Sequence, residues 1–167
     1  RVYIYDGATG DVVRTIAPVD LDDVSFGFVL ASLLDITGDG IGDLAVSGLQ
    51  EAEGEVFLFD GASGAHLLTL RSPNPRTPGK FGGSLAGLDD VSGDGVPDVL
   101  VGAWFENIDS LFFAGRVYVF DGATGTLLYE VLSPTPSVSG TFGFRVDAVP
   151  DVDSDGMMDI VVAASAE

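Results

Sequence analysis

Short apolar runs alternate with clusters of turn residues along the whole chain. The apolar runs are rich in Val, Ile, Leu, Phe and Tyr and show no helical periodicity, which is typical of β-strands. The turn Asp-Gly-Ala-(Thr/Ser)-Gly occurs at 6–10, 60–64 and 121–125, each time between two apolar runs. A short glycine-containing turn in that position predicts a β-hairpin. The pattern therefore predicts an all-β protein.

The same order of features repeats along the chain. Each repeat contains a Phe-Gly pair, an acidic loop, two apolar runs and the Asp-Gly-Ala hairpin, which makes four predicted strands. Four short strands per repeat predict a β-propeller built of four-stranded antiparallel blades. A β-sandwich or a parallel β-helix fits less well, because β-helix repeats are usually shorter and lack tight hairpins. Within one domain, 1–167, three circularly offset blade equivalents are predicted: 26–70, 81–132, and a split blade of 142–167 with 1–16.

An acidic loop separates the first two strands of each repeat. Every copy has oxygen-bearing side chains at loop positions 1, 3, 5 and 9, glycine at position 6 and an apolar residue at position 7. A hard cation such as Ca²⁺ takes six to eight oxygens, which alternate side chains and one backbone carbonyl can supply, so we expect up to three Ca²⁺ per chain. The predicted ligands, with the carbonyl residue fourth in each set, are Asp35, Thr37, Asp39, Ile41 and Asp43; Asp90, Ser92, Asp94, Val96 and Asp98; and Asp151, Asp153, Asp155, Met157 and Asp159.

Two alternatives compete with this interpretation of the acidic loops. An EF-hand loop begins in the same way, but it needs a glutamate at position 12 and a helix on either side. Position 12 is Val46, Val101 or Val162 here, in apolar runs typical of buried strands. The second alternative is an acidic turn that binds no metal. Three copies in one register favour the metal-binding interpretation.

The Phe-Gly pair, the D-x-[DST]-x-D-G-x-x-D loop and the Gly-Ala step at 102–103 together resemble the FG-GAP repeats of the integrin alpha-subunit propeller and its bacterial relatives. The resemblance covers nearly the whole chain. It implies that the cation loops join strands 1 and 2 on the lower face of the propeller. Ligands would bind on the upper face, through the loops between strands 2 and 3 and between blades. The sequence departs from the family at loop position 3, where Thr37 and Ser92 replace the usual Asp or Asn.

The charge of the chain restricts its partners. Its formal net charge is -19, from 26 acidic and 7 basic residues, which argues against binding to nucleic acid or to anionic membranes. No apolar run approaches the roughly 20 residues of a membrane span, and residues 1–5 look like a strand rather than a signal peptide, so we expect an excised or mature piece. The chain has no cysteine and therefore no disulfide framework. Clustered carboxylates repel one another, so the fold is expected to depend on the cation.

Two segments are candidates for a ligand surface. Residues 104–114 form an insertion that holds the single Trp and extra Phe residues, and aromatic side chains are enriched at interfaces. The alternative is that these aromatics fold back over the blade edge. The connector 71–80 concentrates basic residues, which could meet an acidic partner or simply be solvated. The candidate residues are Trp104, Phe105, Phe112, Phe113, Arg71, Arg76 and Lys80.

Catalysis is not expected in this chain. His66 is the single histidine and has no thiol or triad partner near it in sequence. The segment 82–86 approaches a nucleophile elbow, but that motif needs a strand-to-helix turn and a histidine. The favoured function is a noncatalytic, calcium-binding, integrin-like module for protein or glycan binding and adhesion, in an extracellular, surface-displayed or periplasmic location. The alternatives are a scaffold segment of a larger secreted enzyme, such as a polysaccharide lyase or phospholipase, and a purely structural spacer.

The split blade also predicts a partner. The outer strands at 1–16 and the inner strands at 142–164 are complementary halves. Closure within one chain would give three blades, below the usual four to eight. Exchange between two chains gives six blades under two-fold symmetry, so a homodimer is expected, unless a longer chain supplies the remaining blades.

Overall fold

The computed structural model describes residues 1–18, 25–49, 53–75 and 78–167. These residues form antiparallel strands and no helix, which confirms the all-β prediction. The twelve strands are β1 (Val2–Tyr5), β2 (Val12–Ile16), β3 (Phe26–Ser32), β4 (Leu44–Gly48), β5 (Glu55–Phe59), β6 (His66–Arg71), β7 (Phe81–Leu88), β8 (Asp98–Ala103), β9 (Arg116–Phe120), β10 (Leu127–Val131), β11 (Phe142–Val149) and β12 (Asp159–Ala164).

Two complete sheets occupy the middle of the chain. The first sheet has the order β3-β4-β5-β6 and the second has the order β7-β8-β9-β10. Their central strands pair in the same register, with Val46 opposite Phe57 in the first sheet and Val101 opposite Tyr118 in the second. Every residue of β8 is buried, as are all but the first residues of β5 and β9. Both sheets have the form of propeller blades, while the number of blades stays a prediction.

Two separate hairpins flank these sheets. The β1–β2 hairpin packs on the first sheet in a core that contains Val2, Ile16 and Phe57. The β11–β12 hairpin packs on the second sheet in a core that contains Val117 and Val146. A third core joins the two sheets to each other. The β1–β2 hairpin, the two sheets and the β11–β12 hairpin are therefore layers stacked in chain order. Apolar side chains fill the space between successive layers.

The Phe-Gly pairs hold neighbouring layers close together. Phe81 is fully buried in the core between the two sheets, with its ring centroid 5.9 Å from that of Tyr118 and 5.8 Å from that of Phe120. Gly82 has a φ of 79°, which glycine adopts without strain. A methyl group on Gly82 would lie 2.8 Å from a methyl carbon of Val56 in the first sheet. A side chain at this position would push the two sheets apart.

The two ends of the strands carry different loops. The acidic loops connect β3 to β4, β7 to β8 and β11 to β12, so each joins the first two strands of its sheet. The segment 104–114, called the aromatic loop below, lies between β8 and β9, at the opposite end of β8. A six-residue strand separates its two ends by about 20 Å. The candidate metal loops and the candidate ligand loop therefore lie on opposite ends of the second sheet.

Candidate cation loops and the aromatic loop

The first two acidic loops have the same hydrogen-bonded conformation. In the first loop the carboxylate of Asp35 accepts hydrogen bonds from the backbone N–H groups of Gly38, Asp39 and Gly40, at 2.6, 3.2 and 2.6 Å. Asp90 accepts the equivalent three bonds in the second loop, at 2.6, 3.2 and 2.7 Å. The hydroxyl groups at position 3 donate to these carboxylates as well. The aspartate at position 1 therefore organises each loop from inside.

These hydrogen bonds favour the charged form of the position 1 carboxylates. Backbone N–H groups, with that of Gly40 contributing most, lower the pKa of Asp35. The pKa values of Asp90 and Asp151 are lowered for the same reason. Hydrogen bonds to an ionised carboxylate stabilise it relative to the protonated acid. The three side chains are therefore anionic at neutral pH and need lose no proton before a cation binds.

The aspartates at position 9 of the first two loops are buried. Asp43 and Asp98 are each 1% exposed. One oxygen of Asp98 accepts from Val91 and Ser92 of its own loop, at 2.8 and 2.9 Å, and the other accepts from Gly122, at 3.0 Å. Burial raises the pKa of Asp98, and the three N–H groups oppose that shift. A carboxylate offers about four lone-pair sites, so three bonds leave one for a cation.

The third loop brings three carboxylates together. Ligand oxygens of Asp151, Asp153 and Asp159 lie within 4.8 Å of one another, the one such acidic group among the described residues. Asp151 and Asp153 are exposed and Asp159 is half-buried. Carboxylate oxygens at this spacing are the donor set that a hard cation such as Ca²⁺ prefers. The donor chemistry of the loop therefore fits a divalent cation.

The predicted position 5 ligands make a different contact. Asp39, Asp94 and Asp155 each accept a hydrogen bond from the backbone N–H of the position 7 residue, at 2.8, 2.8 and 2.9 Å. One oxygen of each carboxylate is used in this way. Asp155 is not part of the acidic group of the third loop. The backbone N–H group of each position 7 residue therefore donates to the position 5 carboxylate. That the carbonyls of Ile41, Val96 and Met157 bind a metal stays a prediction.

The aromatic loop packs as a cluster on the end of the second sheet. The ring centroid of Trp104 lies 4.0 Å from that of Phe105 and 5.5 Å from that of Phe144. Phe113 extends the cluster, at 5.0 Å from Phe105. A methyl group on Gly83 would lie 2.2 Å from the indole nitrogen of Trp104, so the indole covers that glycine. Phe112 lies apart from these ring contacts and is 60% exposed.

A buried glutamate anchors the same loop. Glu106 is 1% exposed and accepts hydrogen bonds from the hydroxyl groups of Tyr118 and, at 2.5 Å, Ser72. Asn74 donates to the Tyr118 oxygen, at 3.0 Å. Burial raises the pKa of Glu106, although both hydroxyl donors and the charge of Arg116 oppose the shift. The network joins the aromatic loop, β9 and the connector after β6.

The basic connector divides among different environments. Arg71 forms a salt bridge with Glu55, with an N–O distance of 2.6 Å. Lys80 adopts a φ of 56°, and its carbonyl accepts a hydrogen bond from Gly83 at 3.0 Å. Arg76 lies outside the described residues. Their role as a ligand surface stays a prediction.

Several residues of these sites were not found from the sequence. Gly61 and Gly122 donate to Asp43 and Asp98, whereas the sequence pattern places these glycines only in hairpin turns. The repeat pattern held a usable signal, because position 9 precedes strand 2 and the Asp-Gly-Ala turn follows the adjacent strand 3. Phe144 is another residue that the sequence does not identify; the guanidinium carbon of Arg145 lies 4.7 Å from its ring centroid. No sequence signal placed Phe144 beside Trp104, because the contact joins separate layers.

These features define a class of repeat protein. Blade-like antiparallel sheets carry an acidic loop between their first two strands, and each blade packs face to face on the next. No helix long and apolar enough to cross a membrane occurs in the described ranges.

Comparisons with known proteins give the family. The model of the FG-GAP repeat matches residues 81–120, from β7 to the end of β9. The chain is 33% identical over 156 residues to mouse (Mus musculus) integrin alpha-IIb and 28% identical over 152 residues to human integrin alpha-11. It is also 35% identical over 119 residues to integrin alpha-3 of Cricetulus griseus. These matches cover 83%, 83% and 68% of the chain. The predicted resemblance is thereby confirmed: the chain belongs to the FG-GAP, integrin-like repeats.

The chain is much shorter than these relatives. The matches span 15% of integrin alpha-IIb, 12% of integrin alpha-11 and 11% of integrin alpha-3. The similarity therefore concerns a module of those proteins rather than their whole length.

Proposed function

We propose that this chain is a noncatalytic, calcium-binding, integrin-like propeller module that acts in binding outside the cell. The observation that carries the proposal is the convergence of Asp151, Asp153 and Asp159 in a loop whose pattern recurs in two further copies. Carboxylates whose oxygens lie within 4.8 Å of one another repel one another when charged, and a cation between them offsets that repulsion. Their placement supports a bound divalent ion.

The residues that would hold the ion are the same in each copy. The side chains at positions 1, 3, 5 and 9 would supply oxygens, with the position 7 carbonyl completing the set. In the first two loops a hydroxyl of Thr37 or Ser92 replaces one carboxylate, which lowers the ligand charge. The position 1 carboxylates are already ionised, and their backbone hydrogen bonds hold each loop in a turn around them.

The aromatic loop is the proposed ligand surface. Phe112 is exposed, and the half-buried Trp104, Phe105 and Phe113 are held by mutual packing and by the buried Glu106 network. Aromatic groups that are fixed in place lose little entropy when they contact a protein or a glycan. The loop lies at the end of the sheet away from the metal loops, so ion binding would stabilise the blade without occupying the ligand surface.

Calcium titration calorimetry tests the proposal. The chain is stripped of metal with a chelator and titrated with Ca²⁺, with Mg²⁺ as a comparison. We expect up to three sites, and weaker or absent binding of Mg²⁺, because Mg²⁺ demands octahedral geometry and gives up its water reluctantly. A triple variant that changes Asp35, Asp90 and Asp151 to Ala should bind no Ca²⁺. If titration of the wild-type chain with Ca²⁺ gave no heat of binding and no change in its spectrum, the calcium proposal would be contradicted.

Ligand binding needs a separate test, because calcium binding alone does not identify a partner. Immobilised glycans and matrix proteins are probed with the wild-type chain and with Phe112→Ala. This variant removes an exposed side chain, so its stability should stay within about 0.5 kcal/mol of wild type. Retained binding by Phe112→Ala and by Phe105→Ala would exclude the aromatic loop as the ligand surface.

A further inference from the structure

Glu106 closes the neck of the aromatic loop with both its backbone and its side chain. Its backbone N–H donates to Ala103 at 3.0 Å and its carbonyl accepts from Gly115 at 2.9 Å, so the two ends of the loop meet at this residue. One carboxylate oxygen accepts from the hydroxyl group of Ser72, in the connector 71–80, at 2.5 Å. The other accepts from the hydroxyl group of Tyr118 in β9. One residue therefore joins the loop, the connector and the sheet.

The contact between glutamate and serine occurs again one repeat later. Ser133, in the connector after β10, donates to Glu167 at 2.6 Å, as Ser72 donates to Glu106. Each serine oxygen also accepts the backbone N–H two residues further on, at 3.0 Å in the first connector and 3.1 Å in the second. Glu51 holds the same position in the first repeat and lies outside the described residues. A contact that recurs between separate repeats belongs to the repeat rather than to one loop.

The aromatic loop has a conformation that needs support from its surroundings. Asp109 and Phe113 have φ values of 51° and 55°, and Lys80 of the adjoining connector has a φ of 56°. Residues other than glycine rarely adopt positive φ, and they keep it only where surrounding contacts hold them. The backbone N–H of Phe105 supplies one such contact, because it donates to Gly79 of the connector at 3.1 Å. The shape of the loop therefore depends on the contacts that join it to the connector.

The charge state of Glu106 depends on groups from the connector and from two strands. Burial disfavours the ionised carboxylate and raises the pKa of Glu106, and the charge of Glu130 in β10 acts in the same direction. The hydroxyl groups of Ser72 and Tyr118 and the charge of Arg116 act to lower that pKa. Arg116 is itself paired with Glu130, with an N–O distance of 2.6 Å. Because burial is the largest effect, the pKa of Glu106 lies above its ordinary 4.5.

We propose that Glu106 is the positioning residue of the aromatic loop, and that gain or loss of its proton changes how firmly the loop is held against the connector. When Glu106 is protonated, one of its oxygens becomes a donor. The hydroxyl group that faces this oxygen, that of Ser72 or Tyr118, then has to accept instead. The hydrogen bonds that anchor the loop therefore differ between the two charge states.

The direction of the effect follows from the burial of the carboxyl group. If the loop came away from the connector, Glu106 would lie in water with its ordinary pKa of 4.5. The anchored loop holds the proton more tightly than the released loop, because burial raises the pKa of Glu106. Anchoring is therefore favoured most at acid pH, and it weakens as pH rises through the raised pKa.

This inference rests on the proposed function in one respect, that the aromatic loop is the ligand surface. The rings of Trp104, Phe105 and Phe113 contact one another and keep a single arrangement only while the loop is anchored. The apparent affinity of a ligand falls with the fraction of protein in the binding-competent conformation. A ligand that fits the anchored loop should therefore bind more tightly at mildly acid pH than at neutral pH.

Tryptophan fluorescence tests the proposal without any ligand. Trp104 is the single tryptophan of the chain and lies two residues before Glu106. Quenching of its fluorescence by acrylamide is measured in Ca²⁺ between about pH 4 and about pH 8. We expect quenching to increase with pH, with a midpoint above 4.5, and Glu106→Gln to abolish this step. Asp109→Asn is the matched control: it removes an exposed carboxylate from the same loop, asparagine tolerates positive φ, and the wild-type profile should remain.

Ser72→Ala keeps the test decisive if Glu106→Gln fails to fold. The hydroxyl group of Ser72 favours the ionised form of Glu106, so its removal should move the midpoint to higher pH than in wild type. A wild-type midpoint at or below 4.5, an unchanged pH profile in folded Glu106→Gln, or a midpoint that does not rise in Ser72→Ala would each overturn the proposal. Because these measurements use no ligand, their failure is separate from a failure of the aromatic loop to bind glycans or matrix proteins.

Discussion

Asp98 accepts a hydrogen bond from Gly122, 24 residues later in the chain, at 3.0 Å. The bond joins the end of an acidic loop to the hairpin turn that follows β9, and it recurs between Asp43 and Gly61 at 2.9 Å. A residue expected from the sequence to bind metal therefore also satisfies backbone donors inside the blade. Removing it should affect the fold even when no cation is present.

Asp98→Ala should lower the free energy of unfolding by about 3 kcal/mol in chelator. The substitution leaves the N–H groups of Val91, Ser92 and Gly122 without their acceptor, and a buried unsatisfied donor costs roughly 1–3 kcal/mol. Asp94→Ala is the matched control in the same loop, because it removes one exposed hydrogen bond and should cost under about 1 kcal/mol. Urea denaturation compares the two variants. Equal losses would show that Asp98 has no structural role beyond that of the other loop aspartates.

The three loops should bind Ca²⁺ with unequal affinity, the third loop most tightly. It offers four carboxylates where the others offer three and a hydroxyl, and more ligand charge raises affinity for a hard cation. Calorimetry should show that Asp153→Ser weakens the tightest site, and that Thr37→Asp strengthens binding at the first loop. If Asp153→Ser had no effect while Thr37→Ala abolished binding, the ranking would be wrong.

Chelation should lower the melting temperature of the chain. An ion that binds only the folded state at about 100 times its Kd adds about 2.7 kcal/mol per site. For a domain of this size a loss of 1 kcal/mol in the free energy of unfolding lowers Tm by about 2–4 °C. Loss of the ion from one such site should therefore lower Tm by at least about 5 °C. Differential scanning calorimetry in Ca²⁺ and in EDTA measures the change. The triple variant Asp35, Asp90 and Asp151 to Ala is the control and should not respond to EDTA. An unchanged wild-type Tm would refute the linkage between calcium and folding.

The wild-type chain should lose stability as pH rises, compared with a variant that cannot ionise at position 106. Burial raises the pKa of Glu106 in the folded state above its ordinary 4.5. The folded chain therefore binds this proton more tightly than the unfolded chain does. The stability that Glu106 contributes, measured against that variant, is fully present below pH 4.5. It is lost as pH rises through the raised pKa of Glu106 in the folded state.

The comparison is between wild type and Glu106→Gln, which keeps a carbonyl acceptor for one of the two hydroxyl groups, those of Tyr118 and Ser72, and presents an amide donor to the other. Denaturation at a series of pH values from about 5 to about 8 should show the Glu106→Gln variant gaining stability relative to wild type at the higher values. The other carboxylates are present in both chains, so the difference between the two chains reports on Glu106 and its immediate surroundings. A difference that stays constant over this range would contradict the burial effect.

The sequence by itself determined the strand content, the repeat and the acidic loops. Alternating apolar runs and turn residues are local patterns, and local patterns decide strands and hairpins in a chain whose repeats all agree. The positions of the loops between the first two strands of each sheet followed from the order of the runs along the chain. Spacing also identified oxygen donors at positions 1, 3, 5 and 9, because ligand alternation within one short loop is a property of neighbouring residues.

Only the tertiary structure decided which of these residues are buried and what they contact. Asp43, Asp98 and Asp159 occupy the same position of the repeat. A hairpin turn packs against Asp43 and Asp98 and buries them, whereas Asp159 is half-exposed. Trp104 meets Phe144 because two layers stack, a contact between residues 40 positions apart that no local pattern encodes. The physical reason is the same in both cases: burial and hydrogen bonding between layers depend on which strand lies beside which, and that arrangement is fixed by the packing of the whole chain.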